Sequence, residues 1–323
     1  MTTSAVETKY FDLPDKSGCR MAYRLHTPPA SGSEQVPLVL INGLSAVMQD
    51  WSPLVEALSQ TRPVLISDHR GIGASQLGDD WDGELSLLSM GLDVVDLCQH
   101  LNFSTVDLLG FSMGGHITQA LLSDPTHAKP NPNPNGGVLI KSLTVRKAVL
   151  TATMVKLPRG DLDLMKLQAE AKKITDKSKR DEYITGEMMK MQYHPEVLGQ
   201  GKPLQSKLEG RIKTALATSR PASIIAQQFF AIQGGDLRGQ LSNIPSSLPV
   251  MVIHGKRDRM VLYPESDHIL TGIPHAQRLA NTPDDQFGHF WYDYFSIPFW
   301  NSAITQFLDL GIVGGQTTPK ANL

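Results

Sequence analysis

Cysteine is scarce in this sequence of 323 residues: only Cys19 and Cys98 are present, far apart and outside any metal-ligand spacing. Such a pair favours buried free thiols over a disulfide, which fits a reducing compartment. Long apolar runs are missing too, since no stretch of about 18 residues is apolar enough to cross a bilayer. The polar residues 1–9 lack the features of a secretion signal. We therefore expect a soluble, intracellular protein without stable membrane insertion.

Neither sign of charge is in excess. The chain carries 30 basic and 32 acidic side chains, a formal net charge of -2, and no long block of one sign stands out. Nucleic acids and anionic membrane surfaces attract strongly basic proteins, so neither is indicated as a partner. A small, largely uncharged molecule is the expected partner, and the composition leaves the oligomeric state open.

Motifs for cofactors and metals are missing as well. The chain has no GK[ST] phosphate loop, and its histidines show neither HExxH nor another paired metal spacing. The turn Gly71-Ile72-Gly73 follows a predicted strand, but Gln76 stands where a dinucleotide loop needs its third glycine. The sequence therefore predicts no cofactor and no metal.

The chain does contain a series of short, almost entirely apolar runs. With 41% hydrophobic residues it can bury a large core, as one large α/β domain or two smaller ones. Apolar strands separated by helices are typical of a parallel sheet that is covered on both faces. The predicted strands are Val36–Ile41, Val64–Ser67, Val106–Leu109, Ala148–Thr151, Val250–His254 and Ala276–Leu279.

Segments with helical periodicity alternate with these strands. The apolar residues of Leu85–Leu101 recur at roughly helical spacing, so this segment is predicted to pack on the sheet as a crossover. The Pro- and Asn-rich residues 130–137 are predicted to form an exposed loop without a catalytic role. The predicted helices that cover the sheet are Trp51–Leu58, Leu85–Leu101, His116–Ser123 and Pro298–Leu310.

The alternation stops between residues 156 and 245, where the sequence becomes mainly helical and rich in Lys, Met and Gln. Because this segment lies between two predicted strands of the sheet, we expect an inserted helical cap. The remaining residues, 1–155 and 246–323, would then form the α/β core. Within the cap, helices are predicted at Leu162–Thr175, Tyr183–Gln192, Leu208–Thr218 and Ile224–Gln233.

The most informative motif is GFSMGG, residues 110–115, which follows an apolar run and precedes a helical segment. The pattern GxSxG between a strand and a helix is typical of a nucleophile elbow, in which a strained turn exposes the serine hydroxyl. Glycines two residues before and after Ser112 leave room for that cramped turn. The bare pattern is common, so its setting is what makes Ser112 the predicted nucleophile.

A serine hydroxyl is a poor nucleophile until a base takes its proton and an acid orients that base. Asp258 follows the strand Val250–His254 in a short loop, at the carboxyl edge of the sheet. His289 follows the last predicted strand and precedes the final helix. The order Ser112, Asp258, His289 is the one expected of a nucleophile-elbow hydrolase.

Other acids and histidines are placed less well for these roles. His268 and His275 precede the last predicted strand, whereas Asp161 and Asp163 fall at the start of the predicted cap. Asp258 and His289 are therefore favoured as acid and base. Two further histidines are expected to be structural: His116 and His254.

Taken together, these motifs resemble the α/β-hydrolase superfamily of esterases, lipases and lactonases, over residues 37–310. Residues 68–75, DHRGIGAS, are similar to the DxRGxGxS turn of that superfamily, and residues 254–261 are similar to its HGxxDxxV acid loop. The resemblance implies an α/β fold with a mostly parallel central sheet, helices on both faces and an inserted cap.

The resemblance also implies an oxyanion hole made by the backbone amides of Leu44 and Met113. Relatives often have His-Gly where this chain has Asn42-Gly43, so Asn42 affects either the geometry of the loop or the fit of a substrate beside it. Met and aromatic side chains of the predicted cap could line an apolar pocket, or they could simply pack the cap onto the sheet. The expected substrate contacts are Asn42, Gly43, Phe111, Met188, Phe229 and Phe230.

The predicted function is a serine hydrolase that cleaves a carboxylic ester, lactone or thioester of a small to medium, largely apolar substrate through an acyl-enzyme. Two alternatives stay open. The same side chains could transfer the acyl group to an alcohol in a tailoring step, or the fold could serve as a small-molecule receptor without turnover. The C-terminal residues Ala321, Asn322 and Leu323 resemble a variant peroxisomal signal, so the predicted location is cytoplasmic or peroxisomal.

Overall fold

The computed structural model describes residues 6–15, 17–29, 35–79, 81, 83–133, 136–161, 163–199, 202–280 and 282–314. The C-terminal tripeptide of the proposed peroxisomal signal lies outside these residues. The described residues form one sheet of ten strands. In chain order the strands are β1 (Lys9–Asp12), β2 (Arg20–His26), β3 (Leu38–Ile41), β4 (Val64–Ser67), β5 (Thr105–Phe111), β6 (Ala128–Pro130), β7 (Val138–Ile140), β8 (Leu143–Thr151), β9 (Val250–Ile253) and β10 (Gln277–Arg278).

The middle of the sheet is parallel, in the order β4, β3, β5, β8, β9, β10. β1 and β2 pair antiparallel beyond β4, and the hairpin of β6 and β7 pairs antiparallel with the first half of β8. Register aligns Ile41 with Gly110, Phe111 with Thr151, and Thr151 with Ile253. The carboxyl ends of β3, β5, β8 and β9 therefore meet at one edge, where parallel α/β sheets place their ligand sites.

Helices cover both faces of the sheet. They are α1 (Leu54–Leu58), α2 (Leu87–His100), α3 (Met113–Ser123), α4 (Leu164–Ala171), α5 (Lys177–Lys190), α6 (Pro195–Leu198), α7 (Lys202–Ala217), α8 (Ala222–Gly234), α9 (Pro264–Gly272) and α10 (Ile297–Leu310). α2 begins at a Ser86 cap whose side chain accepts from the Ser89 amide, and α10 ends at Gly311 with a φ of 72°.

Two hydrophobic clusters, one on each face of the sheet, form the core. Because successive side chains of a strand point to opposite faces, Val39 and Ile41 belong to one cluster and Leu38 and Leu40 to the other. All four residues of β3 are buried, which explains why the strand is apolar throughout instead of alternating.

The predicted α/β-hydrolase architecture is confirmed, with differences at the edges. β1 and β2 were not predicted, because their residues are partly exposed and polar, and neither were β6 and β7, which flank the predicted loop 130–137. Predicted helix Trp51–Leu58 is a 3-10 turn, Met48–Trp51, followed by α1 after Pro53, which has no amide hydrogen to continue the turn. α3 begins at Met113, three residues before the predicted start.

Between β8 and β9 the chain forms α4 to α8, as the helical composition of residues 156–245 predicts. The sequence did not predict the short helix α6, nor α9 after β9. Cys19 and Cys98 are both buried and free, in agreement with the prediction. Among the described residues, no helix combines the length and apolarity that crossing a bilayer requires.

Candidate active site

Ser112 occupies the junction between β5 and α3, at the carboxyl edge of the sheet. Its backbone has φ 54° and ψ −119°, a region that residues with a side chain rarely adopt. Such a conformation costs about 1–3 kcal/mol and persists only where the surroundings enforce it. The side chain is 8% exposed, so the hydroxyl lies in a nearly closed site.

The flanking glycines explain how the turn is possible. A Cβ atom at Gly110 would overlap the main chain of Gly114, and one at Gly114 would overlap the carbonyl of Ile41 at the end of β3. A Cβ atom at Gly115 would lie 2.6 Å from Cβ of Thr153. The absence of side chains at these positions therefore lets the elbow pack directly against the neighbouring strands.

The end of β8 holds the main chain of Ser112 on both sides. The Ser112 amide donates to the carbonyl of Thr151 at 2.9 Å, and Oγ1 of Thr153 donates to the carbonyl of Ser112 at 2.6 Å. Between them, Ala152 has a φ of 46°, a second left-handed backbone at the same edge. The strained elbow is thus held by hydrogen bonds to the last residue of the adjacent parallel strand and to Thr153 just beyond it.

His289 joins the nucleophile to the acid. Its Nε2 lies 3.1 Å from Oγ of Ser112, and its Nδ1 lies 2.7 Å from Oδ2 of Asp258. The side chain of His289 is 4% exposed and that of Asp258 0% exposed, so the contacts are shielded from bulk water. The structure therefore brings together the three side chains that the sequence predicts, although they are 31 and 177 residues apart along the chain.

The loop after β9 fixes the orientation of Asp258. Its Oδ1 accepts from the amides of Met260 and Val261 at 2.9 and 2.8 Å, which leaves Oδ2 to face the imidazole of His289. Burial raises the pKa of Asp258, but the charge of His289 and hydrogen bonds from His254 and His289 lower it more, to about 2. The carboxylate is therefore ionised at any pH near neutrality.

His254 touches the same carboxylate, a contact that the sequence did not predict. Its Nε2 lies 2.9 Å from the carbonyl of Val261 and 3.4 Å from Oδ2 of Asp258. A main-chain carbonyl can only accept, so Nε2 carries a proton and donates toward both oxygens. The spacing of four residues in the acid loop is the signal that could have indicated this contact.

The main chain beside the serine comes from the loop after β3 and from the start of α3. A Cβ atom at Gly43 would lie 3.2 Å from Cβ of Ser112, so the loop that contains Leu44 passes directly beside the nucleophile. Met113 is the first residue of α3, where main-chain amides have no acceptor within the helix. Over the residues that the structure covers, neither the Leu44 nor the Met113 amide donates to a protein acceptor.

Comparison with known proteins identifies the fold. A family model for the alpha/beta hydrolase fold matches residues 36–131. A hydrolase from Pseudomonas aeruginosa PA01 superposes with a TM-score of 0.68 at 24% identity, covering 95% of this chain and all of that one. An esterase from Exiguobacterium antarcticum superposes with a TM-score of 0.70 at 17% identity, covering 94% and 99%. The chain has the α/β-hydrolase fold.

Among curated proteins, "Putative carbamate hydrolase RutD" of Caulobacter segnis is 32% identical over 101 residues, which are 31% of this chain and 37% of that protein. The chain thus matches little more than a third of the length of this relative and of two others with the same name. The similarities to known proteins therefore establish the fold.

In this α/β-hydrolase fold, the side chain of Asn42 stabilises the loop beside the nucleophile. Its Nδ2 donates to the carbonyls of Ala46 and Ser67 at 3.3 and 2.8 Å, and its Oδ1 accepts from Nε1 of Trp51 at 2.5 Å. The side chain is therefore fully used within the protein, and it braces the turn that presents Leu44. A substrate contact of Asn42 stays a prediction.

Of the other side chains predicted to contact the substrate, one packs against His289 and the others lie on the helices α5 and α8. Phe111 is buried, and its ring centroid lies 5.0 Å from that of His289, so it packs against the imidazole. Met188 and Phe229 are half-buried on α5 and α8. Phe230 is 64% exposed and borders a surface groove lined by residues of α2 and α8, whose lining does not include Ser112.

The rival acids and bases lie elsewhere. Asp163 caps α4 by accepting from the amide of Lys166, and Asp161 pairs with Arg259 at 3.2 Å. His268 is exposed on α9. Within the part of the chain that the structure describes, no group of three His, Cys, Asp or Glu side chains could hold a metal ion.

Proposed function

We propose that this protein is a serine hydrolase that cleaves a carboxylic ester, lactone or thioester through an acyl-enzyme on Ser112. The observation that carries this proposal is the continuous contact from hydroxyl to imidazole to carboxylate, at 3.1 and 2.7 Å. Those distances fall within the range over which a general base acts on a nucleophile. Names of similar proteins, which include a hydrolase, an esterase and a carbamate hydrolase, support the same type of reaction.

In the first step, Oγ of Ser112 attacks the substrate carbonyl while Nε2 of His289 takes the hydroxyl proton. Oδ2 of Asp258 accepts from Nδ1, so the other nitrogen of the ring is unprotonated and faces the serine. The same carboxylate stabilises the imidazolium that forms. His289 then gives its proton to the leaving group, and the acyl group remains on Ser112.

The negative oxygen of the tetrahedral intermediate needs donors that are in place before the reaction. The free amides of Leu44 and Met113 would supply two, because they approach Ser112 from the β3 loop and from α3. A donor of this kind typically contributes about 3–4 kcal/mol of transition-state stabilisation, since it does not reorganise as the charge forms. Hydrolysis by water, activated by His289, would then release the acid and restore the enzyme.

Residues 156–245 would act as a cap that selects the substrate. Their helices come between β8 and β9 along the chain, and α7 packs against the 3-10 turn Met48–Trp51, a few residues after Leu44. The ring centroid of Phe111 lies 5.0 Å from that of His289 and 5.3 Å from that of Phe290, so one side of the imidazole is apolar. An apolar acyl group of small to medium size fits such surroundings better than a charged one.

A panel of p-nitrophenyl esters with short, medium and long acyl chains tests the proposal. We expect wild-type protein to release p-nitrophenol with turnover, fastest for an uncharged chain of intermediate length, and Ser112→Ala to release it only at the background rate. Adding an alcohol during turnover distinguishes the products, since hydrolysis gives the acid and acyl transfer gives a new ester. A folded wild-type protein that cleaves no ester, lactone or thioester in such panels would contradict the proposal.

A further inference from the structure

Buried charged side chains lie just behind His289 and take no part in the proposed proton relay. Asp293 follows His289 by four residues and is 1% exposed, and Arg211 on α7 is 7% exposed. Nε of Arg211 lies 2.5 Å from Oδ2 of Asp293, and Nη2 lies 2.9 Å from Oδ1. Both nitrogens of the guanidinium fork thus meet both oxygens of one carboxylate, which fixes their relative orientation.

Two other side chains from the helical segment hold the same residue. Nζ of Lys207, one turn earlier on α7, donates to the main-chain carbonyl of Asp293 at 2.9 Å. Oη of Tyr193 donates to Oδ2 of Asp293 at 2.6 Å. Burial raises the pKa of Asp293, but the charge of Arg211 and its hydrogen bonds lower it by more, so the net shift is downward. The carboxylate is thus ionised and hydrogen-bonded to residues of the helical segment.

Arg211 also contacts the residue directly after His289. Its guanidinium carbon lies 3.7 Å from the ring centroid of Phe290 and 5.1 Å from that of Tyr292. A guanidinium over an aromatic face is attractive, and more so where water is excluded. Arg211 therefore touches the histidine loop, residues 287–294, at positions 290, 292 and 293.

The oxyanion loop, residues 42–50, is held from the same segment. The amide of Ser45 donates to Oε1 of Gln228 on α8 at 2.9 Å, and the carbonyl of Ser45 accepts from Nη1 of Arg220 at 2.9 Å. Ser45 follows Leu44 and has a φ of 57°, a left-handed backbone that external contacts must maintain. Nη2 of Arg220 lies 3.1 Å from Oδ2 of Asp50 at the far end of this loop.

We propose that Arg211 and Arg220 are positioning residues of the hydrolytic site: Arg211 fixes the loop that carries His289, and Arg220 fixes the loop that carries the Leu44 amide. This inference rests on the proposed function. Neither guanidinium touches the reacting atoms, so each acts through the loop that it holds. Nη1 of Arg211 also donates to the carbonyl of Asp50 at 2.9 Å, which ties the two loops to each other. The helical segment 156–245 therefore completes the site as well as covering it.

The test compares Arg211→Met and Arg220→Met with Arg146→Met. Arg146 makes a bidentate pair with Asp107, Nε to Oδ1 at 3.0 Å and Nη2 to Oδ2 at 2.5 Å, near the amino end of β5 and away from Ser112. Methionine keeps most of the side-chain length and removes the charge. The first readout is the rate constant for labelling of Ser112 by a fluorophosphonate, corrected for the folded fraction measured by circular dichroism.

The second readout is the proton resonance of His289 Nδ1, which a hydrogen bond to Asp258 shifts far downfield. We expect Arg211→Met to label on the order of 10- to 100-fold more slowly, as small misplacements of reacting groups do, and to broaden or lose this resonance. Arg220→Met should also label at least about 10-fold more slowly but keep the resonance, because it acts on the oxyanion loop. Arg146→Met should change neither.

Arg211→Lys is the conservative variant that keeps the charge and loses the bidentate geometry. It should fold, retain the resonance and label at a rate between those of wild type and Arg211→Met. If the folded Arg211 and Arg220 variants label as fast as wild type, or if Arg146→Met slows labelling equally, the positioning role is wrong. A wild-type protein that resists the label contradicts the proposed function itself, an outcome that is distinct from equal rates across reactive variants.

Discussion

The nucleophile and the base of this site are held in different ways. Ser112 is fixed through its own main chain: glycines on both sides allow its turn, and Thr151 and Thr153 hydrogen-bond its amide and its carbonyl. His289 lies in a loop whose polar anchors are side chains from distant segments, chiefly Arg211 and Tyr193 on Asp293, four residues later. The glycines that permit the turn at Ser112 are its neighbours in sequence, whereas the anchors of the histidine loop are 82 and 100 positions from Asp293.

This difference shows which parts of a site can be recognised as a short motif in the sequence. A backbone geometry restricts the residue types that can occupy neighbouring positions, so it is recorded as a short pattern such as GFSMGG. A loop held by a buried ion pair needs only one arginine and one aspartate somewhere in the chain, and their spacing carries no pattern. The nucleophile region should therefore tolerate few local substitutions, whereas the histidine loop should be sensitive to distant ones.

Removing the hydroxyl tests the nucleophile region alone and should have the largest effect. Ser112→Ala leaves the elbow and its glycines in place, so we expect normal folding and a loss of ester hydrolysis on the order of 10⁵-fold or more. Turnover of p-nitrophenyl esters and thermal unfolding measure the two properties. Retention of more than a few per cent of the activity would assign the nucleophile to another residue.

On the histidine side, Asp258→Asn should lower kcat/KM by about 10⁴-fold, because an amide cannot stabilise the imidazolium and favours the wrong tautomer. The pKa of Asp258 is lowered to about 2, so its charge is present above that pH and the acid limb of the rate profile should not come from this group. Asp163→Asn is the control, since Asp163 caps α4 and asparagine caps equally well. Equal losses in both variants would mean a general effect on folding.

Adding one methyl group to the elbow should destabilise the protein by about 3 kcal/mol, because Cβ of Gly114→Ala would overlap the carbonyl of Ile41 and rigid main chain must move. Gly186→Ala is the matched control on α5, where nothing lies within 4 Å of the added Cβ atom. That change should stabilise the protein by about 0.5–1 kcal/mol through helix propensity. Urea unfolding measures the free energy of unfolding of both variants. Similar values for the two would contradict the steric explanation of the elbow.

On the nucleophile side, a buried histidine should make the free energy of unfolding depend on pH. Burial lowers the pKa of His116, on α3 behind the elbow, to about 4. The unfolded chain therefore binds a proton between about pH 6.5 and 4 that the folded chain does not, so this group costs stability as the pH falls through that window. At pH 5 the cost is about 2 kcal/mol. His116→Leu should remove that part of the loss between pH 7 and 5, as urea unfolding of the variant and of wild type at both pH values would show.

The sequence predicts what is repetitive or local. The apolar runs predicted the central strands, because burial on both faces of a parallel sheet leaves little choice of residue. The order of Ser112, Asp258 and His289 predicted three side chains that the structure brings into contact. The edge strands β1, β2, β6 and β7 could not be predicted in the same way, since half-exposed strands have mixed composition.

The anchors of the histidine loop were also beyond sequence reasoning. Arg211 occurs in a helix with several other basic residues, and nothing in its neighbourhood distinguishes a buried guanidinium from an exposed one. Asp293 sits among aromatic residues, which indicates burial but not its partner. Only the fold, by placing α7 against the loop after His289, brings these two residues together.

The most direct test of the proposed relay is the site at which a fluorophosphonate attaches, determined by peptide mass spectrometry of wild type and of His289→Ala. The account predicts one adduct per chain, on the peptide that contains Ser112, and a severe loss of that adduct in His289→Ala although the protein remains folded. An adduct on a different serine, or undiminished labelling of Ser112 without the imidazole, would contradict it.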